Sequence, residues 1–408
     1  MKIVRVIARL NVGGPAKHVV WLSKLPRPEY ESLLVAGTVP PGEDDMGYFA
    51  TEQGITPFFV AEMSREISLK DALTIWKLYR LFLREQPDIV HTHTAKAGTV
   101  GRIAGFAYRW LTLNALRGRP RPCRFVHTYH GHIFHSYYGP LKTRAFLTIE
   151  KALAKLITDR IVVLSQQQRR EINEQFAVGN AQQFSIIPLG LDLSVFENWQ
   201  ARGQQFRKEI GIAAQDVVVG IVGRLTEIKN HDFFLRAAAL FKNEFRNDGP
   251  KVRFVIVGDG SLRETLEAEA AALGLTDDVL FTGGRKDLEE LYPAMDIVAL
   301  TSRNEGTPLT LIEAMANARV VIATAVGGVV DLLGEKTKEG DGFAICERGV
   351  SVAAEDLRGF AKGLAELVAD PVLRRETGAR GLQFVTSHYS KERLLADIKK
   401  LYSDLLED

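Results

Sequence analysis

The sequence predicts an α/β protein built from two doubly wound, parallel-sheet domains. Two observations carry this: short apolar runs alternate with amphipathic helical patterns in two successive series, and the runs end in glycine or polar residues. In the first series KIVRVIA, SLLVAG, DIVHTH, FVHTYH and DRIVVLS have the composition of buried strands. Between them AKHVVWLSKL, SLKDALTIWKLYRLFLREQ and LKTRAFLTIEKALAKLIT place apolar residues at helical spacing. The second series runs DVVVGIVGRL, VRFVIVGDG, DVLFTGG, DIVALTS and RVVIATAVGG, with helices such as FFLRAAALFKN and LRETLEAEAAAL between strands. PLGLDLSVF, residues 188–196, mixes Pro, Gly and polar residues and marks the crossing, giving domains over 1–190 and 191–387.

With 408 residues, 46% of them hydrophobic and 25% charged, each half can bury its own core. The opening MKIVRVIARL is broken by basic residues, and nothing approaches ~18 uninterrupted apolar residues, so the chain reads as soluble or peripheral. Cys123 and Cys346 are too few for a disulfide framework or a cysteine-rich metal site, which fits a reducing, cytoplasmic setting. The net charge of +2 conceals an asymmetry: residues 1–190 carry 25 Lys and Arg against 15 Asp and Glu, and residues 191–408 carry 27 against 35. Between Asp88 and Glu150 there is no acid, but nine Lys or Arg and six of the nine histidines. Such a block suggests an anionic partner. Nucleic acid is disfavoured, because no zinc-finger, helix-turn-helix or RNA-recognition pattern is present. Residues 101–124 interleave six arginines with aromatic and aliphatic residues, suiting anionic lipid or a lipid-linked phosphate; the alternative is a core helix followed by a solvated basic loop.

EGTPLTLIEAMA, residues 305–316, follows a strand pattern and opens a helix. Thr307 suits an N-cap and Pro308 the first helical position. Backbone N–H groups of Thr307, Leu309 and Thr310, with the helix dipole, would then favour a phosphate. Glu305 and Glu313 would instead accept from hydroxyls, and a nucleotide joined to a sugar offers both; the bland alternative is a solvated loop residue and an exposed helix residue. Other strand ends supply Arg224 and Lys229 in GRLTEIKN, Gly258 in VGDGS, and Gly284 and Arg285 in TGGR. Together they describe two cations near a helix N-terminus and glycine loops that admit a flat base.

With these motifs the chain resembles glycosyltransferase family 4, the retaining GT-B enzymes. Glu305 and Glu313 match the E-x7-E motif, Arg224 and Lys229 the GR-x4-K segment, and Gly13, Gly14 and His18 in NVGGPAKHV the GG-x3-H motif. DIVHTH and TYHGH match the family's amino-terminal strand ends. The resemblance implies a GT-B fold of two Rossmann-like domains facing a central cleft, with an acceptor-side N-terminal domain to which a helix over 388–408 returns, and a C-terminal nucleotide-sugar domain. It implies a hexosyltransferase-type, retaining, metal-independent enzyme without cofactor. Arg224 and Lys229 would grip the donor diphosphate, helped by backbone N–H groups of Gly306, Thr307, Leu309 and Thr310 around Pro308. Glu313 would bind the ribose, Glu305 the sugar hydroxyls, and His130 the donor sugar, while Gly13 and Gly14 would let the loop approach the diphosphate. Arg285 and the Gly284 backbone would meet the base. The family's donors are mostly uridine diphosphate sugars, although the residues leave guanine open.

The expected acceptor is a lipid-linked saccharide of envelope or exported polysaccharide synthesis, reached at the inner face of the membrane. Two departures stand out: ANARV replaces the usual Ala-x-Gly-x-Pro after the second glutamate, so the loop there is expected to differ in shape, and Asp331 stands where Glu is common. A nucleotide-sugar epimerase of the same architecture and a non-catalytic two-domain sugar-binding module are the alternatives.

Overall fold

A computed structural model describes all residues except 12, 27, 40–44, 65–67, 131–139, 246–248 and 408; Gly131 and His132 of TYHGH lie outside the described residues. The chain divides into two compact units, Met1–Leu191 with Lys391–Asp408, and Asp192–Ser390.

In the N-terminal unit β1 (Lys2–Ile7), β2 (Glu31–Ala36), β3 (Phe58–Phe59), β4 (Ile89–His93), β5 (Arg124–Thr128), β6 (Arg160–Val163) and β7 (Phe184–Ile186) form one sheet. Its order is β3-β2-β1-β4-β5-β6-β7, and every pairing is parallel. Strands buried on both faces need apolar sequence, which β6 carries after Arg160 and β1 carries on either side of the buried Arg5. The helix Lys391–Glu407 packs Leu394, Ile398, Leu401 and Tyr402 against Ile3, Leu22 and Val126 of this unit. Tyr402 also anchors polar groups inside: its hydroxyl lies 2.6 Å from His91 Nδ1 and 3.5 Å from Nη2 of the fully buried Arg5.

The basic stretch 101–124 is organised differently from the lipid-facing expectation. Its first ten residues finish the helix Ala95–Trp110, seated so closely on the sheet that a Cβ on Gly105 would stand 2.1 Å from Phe125. Arg102 is completely buried, and its Nη2 donates to both oxygens of the equally buried Glu150 at 2.6 Å. Tyr129 donates to the same carboxylate at 2.5 Å. Arg109 and Arg124 share Asp159, at 3.0 and 3.7 Å, and Arg121 donates to the Tyr108 carbonyl at 2.6 Å. The acids that neutralise the block come from beyond it in sequence, so local charge counting overstates the free charge. Arg117 and Arg119 remain exposed, beside Leu111, Leu113 and Leu116, which are 67%, 78% and 84% exposed. Among the described residues no helix is long and apolar enough to cross a membrane.

The C-terminal unit holds β8 (Val217–Val222), β9 (Val252–Val257), β10 (Val279–Gly283), β11 (Ile297–Leu300), β12 (Val320–Thr324), β13 (Lys336–Glu339), β14 (Phe343–Cys346) and β15 (Gly349–Val352). The order is β10-β9-β8-β11-β12-β15-β14-β13, parallel as far as β15 and antiparallel for the last two pairings. The core joins Val219, Ile221, Phe254 and Ile256 of the sheet to Phe233, Phe234, Phe360 and Leu364 of its helices.

The Arg102–Glu150 pair yields a stability prediction. Removing one partner of a buried pair leaves a charge without compensation, which typically costs about 3–5 kcal/mol. Glu150→Gln should therefore lower the unfolding free energy of the N-terminal unit, read from denaturant titration, by an amount in that range, whereas a value within about 0.5 kcal/mol of wild type, the size of an ordinary surface substitution, would show that the pair contributes little.

Candidate active site

In the C-terminal unit two strand ends converge. After β8 the chain passes Gly223 and the exposed Arg224 into a 3-10 turn, Glu227–Lys229. After β11 it passes Thr301 and Ser302 to Glu305. Backbone bonds clip these loops together: Arg303 N donates to the Ile228 carbonyl at 2.9 Å, and the Thr301 hydroxyl reaches the carbonyls of Lys229 and Asn230 at 3.1 and 3.0 Å. The result is an ion pair in which Lys229 Nζ lies 2.6 Å from Glu305 Oε1, and that oxygen also accepts from Ser302 Oγ at 2.6 Å. Ser302, the residue ending DIVALTS, was not singled out from sequence; a hydroxyl three residues before a loop glutamate was the available signal.

Helix Leu309–Ala316 starts one residue later than expected. Pro308 is the capping residue, in extended conformation, and no side chain caps the helix, so Thr307 is not the N-cap. The first-turn N–H groups are left without intrahelical acceptors. The nearby Thr310 hydroxyl oxygen is buried without a partner. The loop before the helix is fixed by Gly328 N, which donates to the Gly306 carbonyl at 2.9 Å.

Glu313 is not the exposed helix residue of the bland alternative. It is 7% exposed, and its Oε2 accepts from the buried Tyr292 hydroxyl at 2.7 Å. Gly258 has φ +147°, and a Cβ there would stand 1.9 Å from the Gly223 carbonyl oxygen, so this glycine allows two strand ends to pack closely. Gly284 faces open space. Arg285 donates to Glu209 at 2.8 Å and Asp287 at 2.5 Å and lies over the Phe206 ring. Those two carboxylates hold its guanidinium protonated, and this engagement argues against Arg285 as the reader of a base.

In the N-terminal unit Gly13 has φ +157° and precedes the helix Gly14–Ser23, whose start no side chain caps; a Cβ on Gly13 would meet only Pro15, at 3.7 Å. His18 lies on this helix. His130 follows β5, and its Nε2 is 3.0 Å from His93 Nδ1. Burial drives the pKa of His18, His91, His93 and His127 well below the ordinary histidine value and that of His130 down to about 3, so these rings are neutral at physiological pH. A separate cavity of about 310 Å³ opens among Arg9, Asn11, Pro15, Lys96 and Phe146, with Lys96 paired to Asp71. Thr94 lines it at φ +69°, a strained conformation for a β-branched residue, with its hydroxyl oxygen buried and unpartnered. Sequence patterns gave no sign of this cavity.

Residues 12–195 match the model of Glycosyltransferase Family 4, and residues 203–384 that of Glycosyl transferases group 1. The chain belongs to glycosyltransferase family 4. It is 29% identical over 386 residues to the UDP-Gal:α-D-GlcNAc-diphosphoundecaprenol α-1,3-galactosyltransferase of Escherichia coli, covering 94% of this chain and 91% of that one. Among solved structures it is similar to Anabaena HepE in complex with UDP, with TM-score 0.77, 20% identity and coverage of 99% and 100%. Similarity to a sucrose-phosphate synthase from Thermosynechococcus elongatus is comparable, with TM-score 0.74, 20% identity and coverage of 100% and 99%. The fold is GT-B and the activity glycosyl transfer, which sets aside the epimerase and the binding module.

One family departure now has a physical description. Ala318, where this family 4 chain replaces the usual glycine, has φ +52°. The backbone keeps the left-handed conformation that glycine favours, so the replacement is accommodated as local strain and not as a different backbone turn. Ala318→Gly should stabilise the protein by up to about 1 kcal/mol, the relief of that strain less the entropy glycine adds to the unfolded chain. A lowered unfolding midpoint would show that Ala318 is unstrained.

Proposed function

We propose that the chain transfers a sugar, with retention and without a metal, from a UDP-sugar to a hydroxyl of a lipid-linked saccharide. The observation that carries this is the Lys229–Glu305 pair beside the uncapped start of helix Leu309–Ala316. The E. coli relative's name, with UDP-Gal as donor and a diphosphoundecaprenol-linked acceptor, and the UDP in the HepE complex support the choice of substrates.

In this reading Lys229 and Arg224 take the donor diphosphate, and N–H groups from Gly306 to Thr310 add to them. A cationic cradle of this kind does the work of a divalent ion at the leaving group. Glu313, braced by Tyr292, takes the ribose, and Glu305 takes the sugar hydroxyls, while Gly284 borders the base. For the N-terminal unit, the family resemblance suggests a diphosphate role for Gly13 and Gly14 and a donor-sugar role for His130. The anomeric carbon–phosphate oxygen bond breaks with its electron pair passing to the phosphate. The acceptor oxygen then bonds to the same face of the anomeric carbon, and its proton goes to the departing phosphate. Glu305 is poorly suited to covalent attack, since one oxygen already serves Lys229 and Ser302. Nor does a diphosphate leaving group need the protonating carboxylic acid of a glycosidase.

Lys229→Ala should lower turnover by on the order of 10²-fold with the fold intact, as for loss of one preorganised electrostatic donor. Glu305→Gln should retain nucleotide affinity and lose transfer, and Glu313→Gln should chiefly weaken nucleotide binding. The same nucleotide-release assay should be insensitive to excess chelator. Wild-type turnover in Lys229→Ala, matching affinity losses in both glutamate variants, or a chelator-sensitive rate restored by magnesium would each contradict the scheme.

For the membrane, the surface left by the arginine pairings is smaller and more apolar than the sequence suggested: Leu111, Leu113 and Leu116 beside Arg117 and Arg119. Such a patch fits a peripheral site on the cytoplasmic face, leucines inserted and arginines at anionic headgroups. At about 1 kcal/mol per arginine, replacing Arg117 and Arg119 with Ser should weaken binding to anionic vesicles roughly 30-fold. Replacing the three leucines with Asn should abolish sedimentation with the same vesicles. Equal, weak sedimentation of all three proteins would assign the acceptor to bulk solution.

A further inference from the structure

Three histidines of the N-terminal unit have more binding capacity than the fold uses. His18 comes from helix Gly14–Ser23, His93 from the end of β4 and His130 from the segment after β5. One ring nitrogen from each lies within 4.8 Å of the other two. The rings stand edge to face or tilted, with centroids 4.9 Å apart for His18 and His130 and 5.3 Å for His93 and His130. Both nitrogens of His18, only 1% exposed, are buried without a hydrogen-bond partner, as are His93 Nε2 and His130 Nδ1. A neutral imidazole carries one donor and one acceptor, and buried polar atoms of this kind are normally paired. A packing role explains the apolar body of each ring but leaves these four buried nitrogens without partners.

We propose that His18, His93 and His130 form a three-nitrogen site for a zinc-class divalent cation, whose binding withdraws His130 from the donor sugar and inhibits transfer. The inhibitory half rests on the role given above to His130. Imidazole suits Zn²⁺, Cu²⁺ and Ni²⁺, whereas Mg²⁺ and Mn²⁺ prefer oxygen ligands, and no carboxylate belongs to the cluster. Three protein nitrogens leave a fourth position for water. Zn–N bonds of about 2.0–2.1 Å set tetrahedral nitrogen separations near ~3.3 Å, so nitrogens within 4.8 Å of one another draw together by at most roughly 1.5 Å. Each neutral ring coordinates through its unprotonated nitrogen and keeps its N–H, so no proton needs to leave. The effect is opposite in sign to that of a metal cofactor: chelator raises the activity of zinc-exposed enzyme.

The test uses the full chain, free of any purification tag and stripped of metal. Titration with Co²⁺ should give one equivalent of binding with a tetrahedral visible absorption band, Zn²⁺ should displace it, and Mg²⁺ should not. His18→Ala and His93→Ala should each weaken Zn²⁺ binding at least tenfold; His93→Gln, close in volume, decides the matter if either alanine variant fails to fold. In the nucleotide-release assay Zn²⁺ should inhibit the wild type, reversibly by chelator, at concentrations that leave His93→Gln unaffected. Absence of the cobalt band, or binding unchanged in the folded variants, overturns the site and leaves the transfer scheme standing. Binding at the cluster without inhibition overturns the inhibitory half and removes His130 from the transfer scheme.

Discussion

Parallel strand pairing is the constraint from which the rest of this structure follows. Sheets covered on both faces leave no room for chemistry along the strands, so reactive side chains collect where strands end. In the C-terminal unit β8 and β11 end in the loops that carry Lys229 and Glu305, and the Thr301 and Arg303 bonds set the spacing of the pair. In the N-terminal unit β4 and β5 end at His93 and Thr128, two residues before His130. The same rule thus produces a charged site in one unit and a neutral one in the other, according to which residues stand at the strand ends.

That contrast tempers the meaning of the basic first half. Three of the six arginines in residues 101–124 are already paired inside the unit with Glu150 and Asp159, and His18, His91, His93, His127 and His130 are held neutral by burial. In residues 101–124 an anionic partner would therefore meet the exposed Arg117 and Arg119 beside exposed leucines.

The parallel cores were legible because fully buried strands need apolar runs such as IVAL and VVIAT, and the motif residues were legible because their spacing fixes them around a strand end and a helix start. The antiparallel β13 to β15 were not read: β13 is KTKE, exposed along its whole length, and has no apolar face to betray it. Sequence also could not show which arginines were already spoken for. Arg102 and Glu150 are 48 residues apart, and Arg285 meets Glu209 across 76 as well as the nearby Asp287, so local composition alone does not reveal these pairings. Glu313 was read as facing a ligand; its burial against Tyr292 depends on the neighbouring helix Leu288–Ala294.

The helix Lys391–Glu407 belongs to the N-terminal unit although the whole C-terminal unit intervenes in sequence. On the ribosome, residues 192–390 have all been made before Tyr402 is available to Arg5 and His91. The C-terminal unit can therefore complete its core while the N-terminal unit still exposes Ile3, Leu22 and Val126, the apolar surface that Leu394, Ile398 and Leu401 cover. Synthesis order is thereby inverted with respect to folding order. The half that emerges first finishes last, and chaperone demand during synthesis falls on residues 1–191.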